Sequence, residues 1–197
     1  MARQVQFLVK ILISIIVLQS LPSCSGNKTP EHMAAYNAAE IKVVMQNGVL
    51  LQNGKPFTGI IYALQQNQKD TAEVVCFSQG REHGTWKKFY LGGELAEVRH
   101  FDNGKKEGRL LAWWPGGRNK VDYNFKDGEY EGECREWQAD GRLVAVMNYE
   151  KGYEAGQQLQ YYADGKIKAN YIMTNGRRYG LLGTKNCVNV TDSVFKK

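Results

Sequence analysis

The sequence predicts an all-β protein, an elongated single-layer antiparallel sheet built from 24-residue β-hairpin repeats. Three observations predict it. Gly84, Gly108, Gly132, Gly156 and Gly180 lie 24 residues apart. The same step runs through Gly80, Gly104, Gly128, Gly152 and Gly176, and through Gly93, Gly117, Gly141 and Gly165. Each unit also holds two runs of strand length, parted by turn residues such as Ala163-Asp164-Gly165 and closed by others such as Thr174-Asn175-Gly176. Glycine after Asp or Asn supplies the positive φ that hairpin turns require. A 24-residue unit has room for two strands, whereas a propeller blade takes about 40 residues, which argues against a β-propeller.

The chain of 197 residues opens with Arg3 and an apolar run from Phe7 to Leu18. That run is too short for a stable transmembrane helix and reads as an export signal. Leu21-Pro22-Ser23-Cys24 resembles the bacterial lipobox. The resemblance implies a lipoprotein signal peptide over residues 1–23, cleavage after Ser23 and a lipidated Cys24 that anchors the protein to the membrane. Ser25 stands where an Asp would resemble an inner-membrane retention signal, which points to the outer membrane of the cell envelope. Residues 24–40 are read as the lipidated cysteine and its tether, polar at first and with alanines over 32–40 that predict a helical turn or two.

The repeat-sheet domain is placed at 41–197, with regular repeats over 84–180. Its first strand is expected from Ile41 to Met45 and its second from Val49 to Gln52, each ending in an Asn-Gly turn. Gly54 to Gly59 opens the array, and Ile60–Leu64 and Ala72–Phe77 are the strands of an irregular first unit. In later units both turns are expected to be three-residue hairpin loops. Tyr162 then pairs with Lys166, Tyr161 faces Ile167 and Leu159 faces Ala169. On that parity one face carries Phe89, Trp113, Trp137 and Tyr161 together with Phe101, Phe125, Tyr149 and Met173. The other carries Trp86, Tyr90, Trp114 and Tyr162 among Lys88, Glu136 and Lys168.

These units resemble the MORN repeat in its bacterial variant form. Gly80, Gly84, Trp86, Phe89, Tyr90, Gly93 and Leu95 carry the resemblance, as do Gly152, Gly156, Tyr161, Tyr162, Gly165 and Ile167. The aromatic after the second glycine is present as Trp86, with Leu110, Cys134 and Gln158 in its place elsewhere. The resemblance implies a role as a scaffold for membranes or proteins, or one similar to the YwqK-type antitoxins.

Composition narrows the function further. Removing residues 1–23 takes away two basic residues and no acid, leaving 24 basic against 20 acidic residues, a net charge of +4. Those charges are interspersed, so a nucleic-acid interface, which needs a coherent basic face, is not expected. The histidines His32, His83 and His100 stand without a nucleophile or paired carboxylate at catalytic spacing, and no CxxC or Cys/His ligand pattern occurs. Neither an enzyme nor a cofactor or metal is expected. Cys76 and Cys134 are read as free thiols, with two strands between them and a gap of about 14 Å, too wide for a disulfide. The expected function is a membrane-anchored, non-enzymatic scaffold that binds an envelope protein through the aromatics Trp86, Tyr90, Trp114 and Tyr162. Lipid or glycan binding by the same surface is the alternative, and neutralisation of an envelope or secreted toxin is another.

Overall fold

The structure, a computed structural model, describes residues 33–183. The expectations for residues 1–23, Cys24 and His32 fall outside the described residues. Five antiparallel hairpins follow one another in chain order through one open sheet. They are Gly59–Leu64 with Thr71–Ser78, Gly84–Phe89 with Leu95–Asp102, Gly108–Trp113 with Asn119–Lys126, Gly132–Trp137 with Leu143–Glu150, and Gly156–Tyr161 with Ile167–Thr174. Arg177–Leu181 ends the sheet among the described residues.

Two different turns alternate along the array. At the tips the three-residue loop is present as expected: Tyr162 N donates to Lys166 O at 2.8 Å and Gly165 N to Tyr162 O at 2.9 Å. Between hairpins the turns differ from that expectation. Lys105 pairs with Asp102, so only Asn103 and Gly104 lie in the turn, and both have positive φ, 48° and 83°. This two-residue geometry matches the right-handed twist of the strands it joins. It recurs at Asp127-Gly128, Lys151-Gly152 and Asn175-Gly176. Lys151, at φ 50°, lacks the short polar side chain that tolerates this region. Lys151→Asn is therefore expected to stabilise the fold by about 0.5–1 kcal/mol, read as a raised urea midpoint with an unchanged slope.

A bulge follows every tip and reverses part of the expected face assignment. Phe89 pairs with Leu95, but Lys88 pairs with Glu97, so Ala96 is extra. Lys120, Val144 and Lys168 are the extra residues of the next three hairpins. Tyr161 does face Ile167, yet Leu159 faces Asn170 and not Ala169. Because side chains alternate with period two, one inserted residue moves the rest of its strand to the other face. Trp86, Leu110, Cys134 and Gln158 thereby join Phe101, Phe125, Tyr149 and Met173 on one face, and this is the packed face.

Two N-terminal elements also depart from expectation. The predicted helical stretch contains the strand Ala35–Asn37, which pairs parallel to Gly59–Leu64. The outer edge of the first hairpin offers unpaired backbone groups: Ile60 N donates to Ala34 O and Ala38 N to Tyr62 O. Pairing with that edge outweighs the helix preference of alanine. The strand expected at Ile41–Met45 lies at Val44–Gln46 and forms a small antiparallel sheet with Val49–Gln52 and Lys55–Pro56. This sheet is stitched to the array by Leu50 N donating to Gly80 O and Gly80 N to Phe57 O, both at 2.7 Å. Phe57, 3% exposed, lies between the rings of Tyr36 and Phe77.

Cys76 and Cys134 are free thiols. Four strands separate them, not two, because Gly84–Phe89, Leu95–Asp102, Gly108–Trp113 and Asn119–Lys126 all intervene. Five strand spacings put them about 24 Å apart, which strengthens the exclusion of a disulfide.

Candidate binding surface

The four aromatics singled out from the sequence do not form one exposed surface. Trp86 is 8% exposed and belongs to the core. Its Nε1 donates to Glu73 at 2.5 Å, and the Arg99 guanidinium lies over its ring at 3.9 Å. The bulge at Ala96 explains the correction, since it places Arg99 and Phe101 on the face of Trp86. Tyr90 and Trp114 are half-buried at hairpin tips, where they tie one unit to the next. The Tyr90 hydroxyl donates to Trp113 O at 2.9 Å, and Trp114 Nε1 donates to Trp137 O at 3.0 Å. Of the four, Tyr162 is the exposed one.

The packed face is held by its own rows. Tyr123, Phe125, Tyr130 and Tyr149 stack around fully buried Cys134, with Tyr130 and Tyr149 ring centroids 5.0 Å apart. Tyr130 comes from the two-residue strand Glu129–Tyr130, so the inter-hairpin turn itself helps cover the core. Burial raises the pKa of Cys134 above its ordinary value. Burial also raises Tyr123, reinforced by its hydrogen bond to Glu136, and Tyr130 and Tyr149 shift the same way for the same first reason. The unfolded chain then loses these protons at lower pH than the folded one, so stability falls as pH rises past the unfolded thiol and phenol values of about 8.5 and about 10. The melting temperature is expected to fall steadily between about pH 8.5 and 11, and Cys134→Ala to flatten the first part of that fall. A flat profile to pH 10.5 would mean that the tyrosine cluster is wet.

The opposite face is open. One cross-strand line on it runs Lys87, Val98, Leu111, Asp122, Arg135, Val146, Leu159, Asn170. Two apolar pairs, Val98–Leu111 and Val146–Leu159, flank the charged residues Asp122 and Arg135. Leu111 and Leu159 are half-buried and lie about 19 Å apart by strand spacing. The charges are locally balanced: Arg109 pairs with Asp122 at 2.6 Å and Arg135 with Glu133 at 2.5 Å. Side chains also brace the seams between hairpins on this face. Asn124 Nδ2 donates to Glu133 O at 2.8 Å and Asn148 Nδ2 to Gln157 O at 2.7 Å. Sequence reasoning missed this line because its residues share no comb; it exists only once the strands are in register.

The histidines join local pairs. His83 Nδ1 lies 3.2 Å from Asp102, and His100 Nδ1 lies 3.2 Å from the Thr85 hydroxyl. Among the described residues no group of three or more His, Cys, Asp or Glu is placed to hold a metal ion.

No curated protein matches the chain. Among solved structures, it is similar to a chain in the crystal structure of accessory secretory protein 1, 2 and 3 in Streptococcus pneumoniae, at 10% identity and a TM-score of 0.18. That likeness covers 76% of this chain and 21% of the other, so this protein spans about a fifth of its length. The family comparison is more local and falls on the regular array: residues 82–103, which hold the hairpin Gly84–Phe89 and Leu95–Asp102, match the MORN repeat variant.

Proposed function

We propose that this protein is a non-enzymatic repeat scaffold that binds a protein partner on the open face of its sheet. The observation that carries the reading is the line of apolar pairs Val98–Leu111 and Val146–Leu159 around Asp122 and Arg135. Five hairpins in one sheet hold these side chains at fixed spacing, so little conformational freedom is lost on contact. The balanced ion pairs beside them supply orientation and selectivity more than long-range attraction. With the lipobox resemblance at Cys24, the reading becomes a lipid-anchored scaffold of the cell envelope and the partner an envelope protein.

The second reading, a lipid or glycan ligand, has its own support in the tip row. Lys120 Nζ sits 4.5 Å from the Trp114 ring centroid, and Tyr162 is exposed two units further on. Basic groups near these tips are largely matched, Arg142 with Asp140 and Lys166 with Asp164. That weakens attraction to anionic headgroups and leaves the protein partner as the better fit.

The test is mild cross-linking in the native envelope followed by purification of the tagged full chain, beside Leu111→Lys/Leu159→Lys and Trp114→Ser/Tyr162→Ser variants. A partner at defined stoichiometry, lost with the leucine pair and kept with the tip pair, is the expected result. Capture lost only with the tip variant, or no protein but sedimentation with liposomes or polysaccharide, would overturn it.

A further inference from the structure

Each inter-hairpin turn is clamped by the chain just after the turn before it, and the clamp has two points. Gly80 N donates to Phe57 O, Gly104 N to Glu82 O, Gly128 N to Lys106 O and Gly152 N to Tyr130 O. The residue after that carbonyl supplies the second point. Gln79 N donates to the Thr58 hydroxyl, Asp127 N to the Glu107 carboxylate and Lys151 N to the Glu131 carboxylate. Before the turn Asn103-Gly104 the corresponding residue is His83, whose ring goes to Asp102 instead. At the fifth turn, Asn175-Gly176, the pair in that place is Glu154-Ala155, and it supplies neither point. Gly176 N makes no bond to Glu154 O, and the Ala155 side chain has no acceptor to offer Asn175 N. Arg81, Lys105 and Glu129 lie over the glycine of the following turn, whereas a Cβ at Gly176 would meet nothing within 4 Å among the described residues. Tyr153, next in that row, is 80% exposed. A cleft of about 480 Å³ stands between the turns Lys151-Gly152 and Asn175-Gly176.

We propose that this cleft takes an extended acidic segment of the protein partner. A glutamate carboxylate of that segment accepts from Asn175 N, and the backbone carbonyl just before it accepts from Gly176 N. The molecule holds the bound form of this site twice, in Lys106-Glu107 on Asp127-Gly128 and Tyr130-Glu131 on Lys151-Gly152. Both points come from one dipeptide step, so the geometry selects a peptide over a lone anion or a sugar acid. Backbone N–H groups of a turn are anion sites, and a charged acceptor roughly doubles the strength of such a bond. The exposed Tyr153 ring beside them offers rigid contact area of the kind that anchors peptide interfaces. Glu154 does not compete for the two N–H groups, since its carboxylate accepts from the Tyr171 hydroxyl and Arg178 Nε, each at 3.1 Å. Lys151 and Glu150 are both exposed on the lining and balance in charge, which leaves selection to the turn. That the segment belongs to a protein partner rests on the reading above, while the site itself rests on the seam.

Amide chemical shifts of the ¹⁵N-labelled full chain test it, titrated with a blocked pentapeptide carrying one central glutamate and with its glutamine counterpart. Asn175 and Gly176 are expected to shift saturably, with the glutamine peptide bound at least ~5-fold more weakly. The amides of Asp127 and Lys151 already have their carboxylates, so they stay still and report intact folding. Ala155→Glu is expected to move the Asn175 amide without peptide and to abolish peptide binding, because it supplies the carboxylate from within. Leu111→Lys/Leu159→Lys is expected to bind the peptide as the unchanged chain does, which separates this site from the open face. No saturable shift at Asn175 and Gly176 overturns the proposal, and so does equal binding of the two peptides. Undiminished binding by a folded Ala155→Glu chain, or its loss in the leucine variant, overturns it as well. If Ala155→Glu does not fold, the comparison of the two peptides on the unchanged chain decides alone.

Discussion

Gly80→Ala is expected to cost about 3–5 kcal/mol, several times more than the same change at Gly104. Both glycines sit at the second position of a two-residue turn, with φ 75° and 83°, so both pay for a left-handed alanine. What differs is the space. A Cβ at Gly80 would lie 2.4 Å from Val49 Cγ1 and 2.7 Å from Leu50 O, where the small N-terminal sheet is stitched to the array. At Gly104 the nearest atom is the Arg81 Cβ, at 3.8 Å, so that change costs only the conformational term, about 1–2 kcal/mol. The Leu50 carbonyl cannot move without straining the bond it accepts from Phe57 N or the one that Leu50 N donates to Gly80 O. Urea unfolding of both variants checks the ratio, and amide exchange at Val49–Gln52 checks its cause, since the small sheet is expected to open first. Equal losses at the two sites would show that the sheet is not held there.

Gln158→Leu is expected to cost about 2–3 kcal/mol, although leucine fills the equivalent place at Leu110. Gln158 is 1% exposed, the one buried polar side chain among the described residues. Its Nε2 donates to Asn148 O at 2.7 Å and to Ala155 O at 3.1 Å, and its Oε1 accepts from Asn148 N at 3.3 Å. Asn148 O keeps a second donor in Ala155 N, so the main loss is the partner of Ala155 O and the weaker bond to Asn148 N. Buried backbone groups left without partners outweigh the apolar gain from leucine. A drop in the urea midpoint with an unchanged slope is the expected signature. A neutral or stabilising result would mean that water reaches this seam.

The two positions show different degrees of legibility. Gly80 stands in a glycine comb that is plain in the sequence, yet nothing there distinguishes it from Gly104; only the packing of Val49 and Leu50 against it does. Gln158 stands in the row of Trp86, Leu110 and Cys134, four side chains with no common chemistry. The comb aligned them, but their burial was obscured by the bulge. Ala96, Lys120, Val144 and Lys168 share no feature that announces an extra residue. Counting parity across the tip without it put Trp86 on the exposed side and kept Phe89 with Phe101.

What the sequence determined by itself is the hairpin unit, its period, the places of its turns and the geometry of the tip loops. These depend on local chemistry, because a glycine with positive φ and an alternating run act within a few residues of themselves. Only the tertiary structure decided which face is packed, that Ala35–Asn37 is a strand, and that Val98, Leu111, Val146 and Leu159 form one line. Those depend on register between strands, and a single unpaired residue per hairpin changes it while leaving every local signal intact.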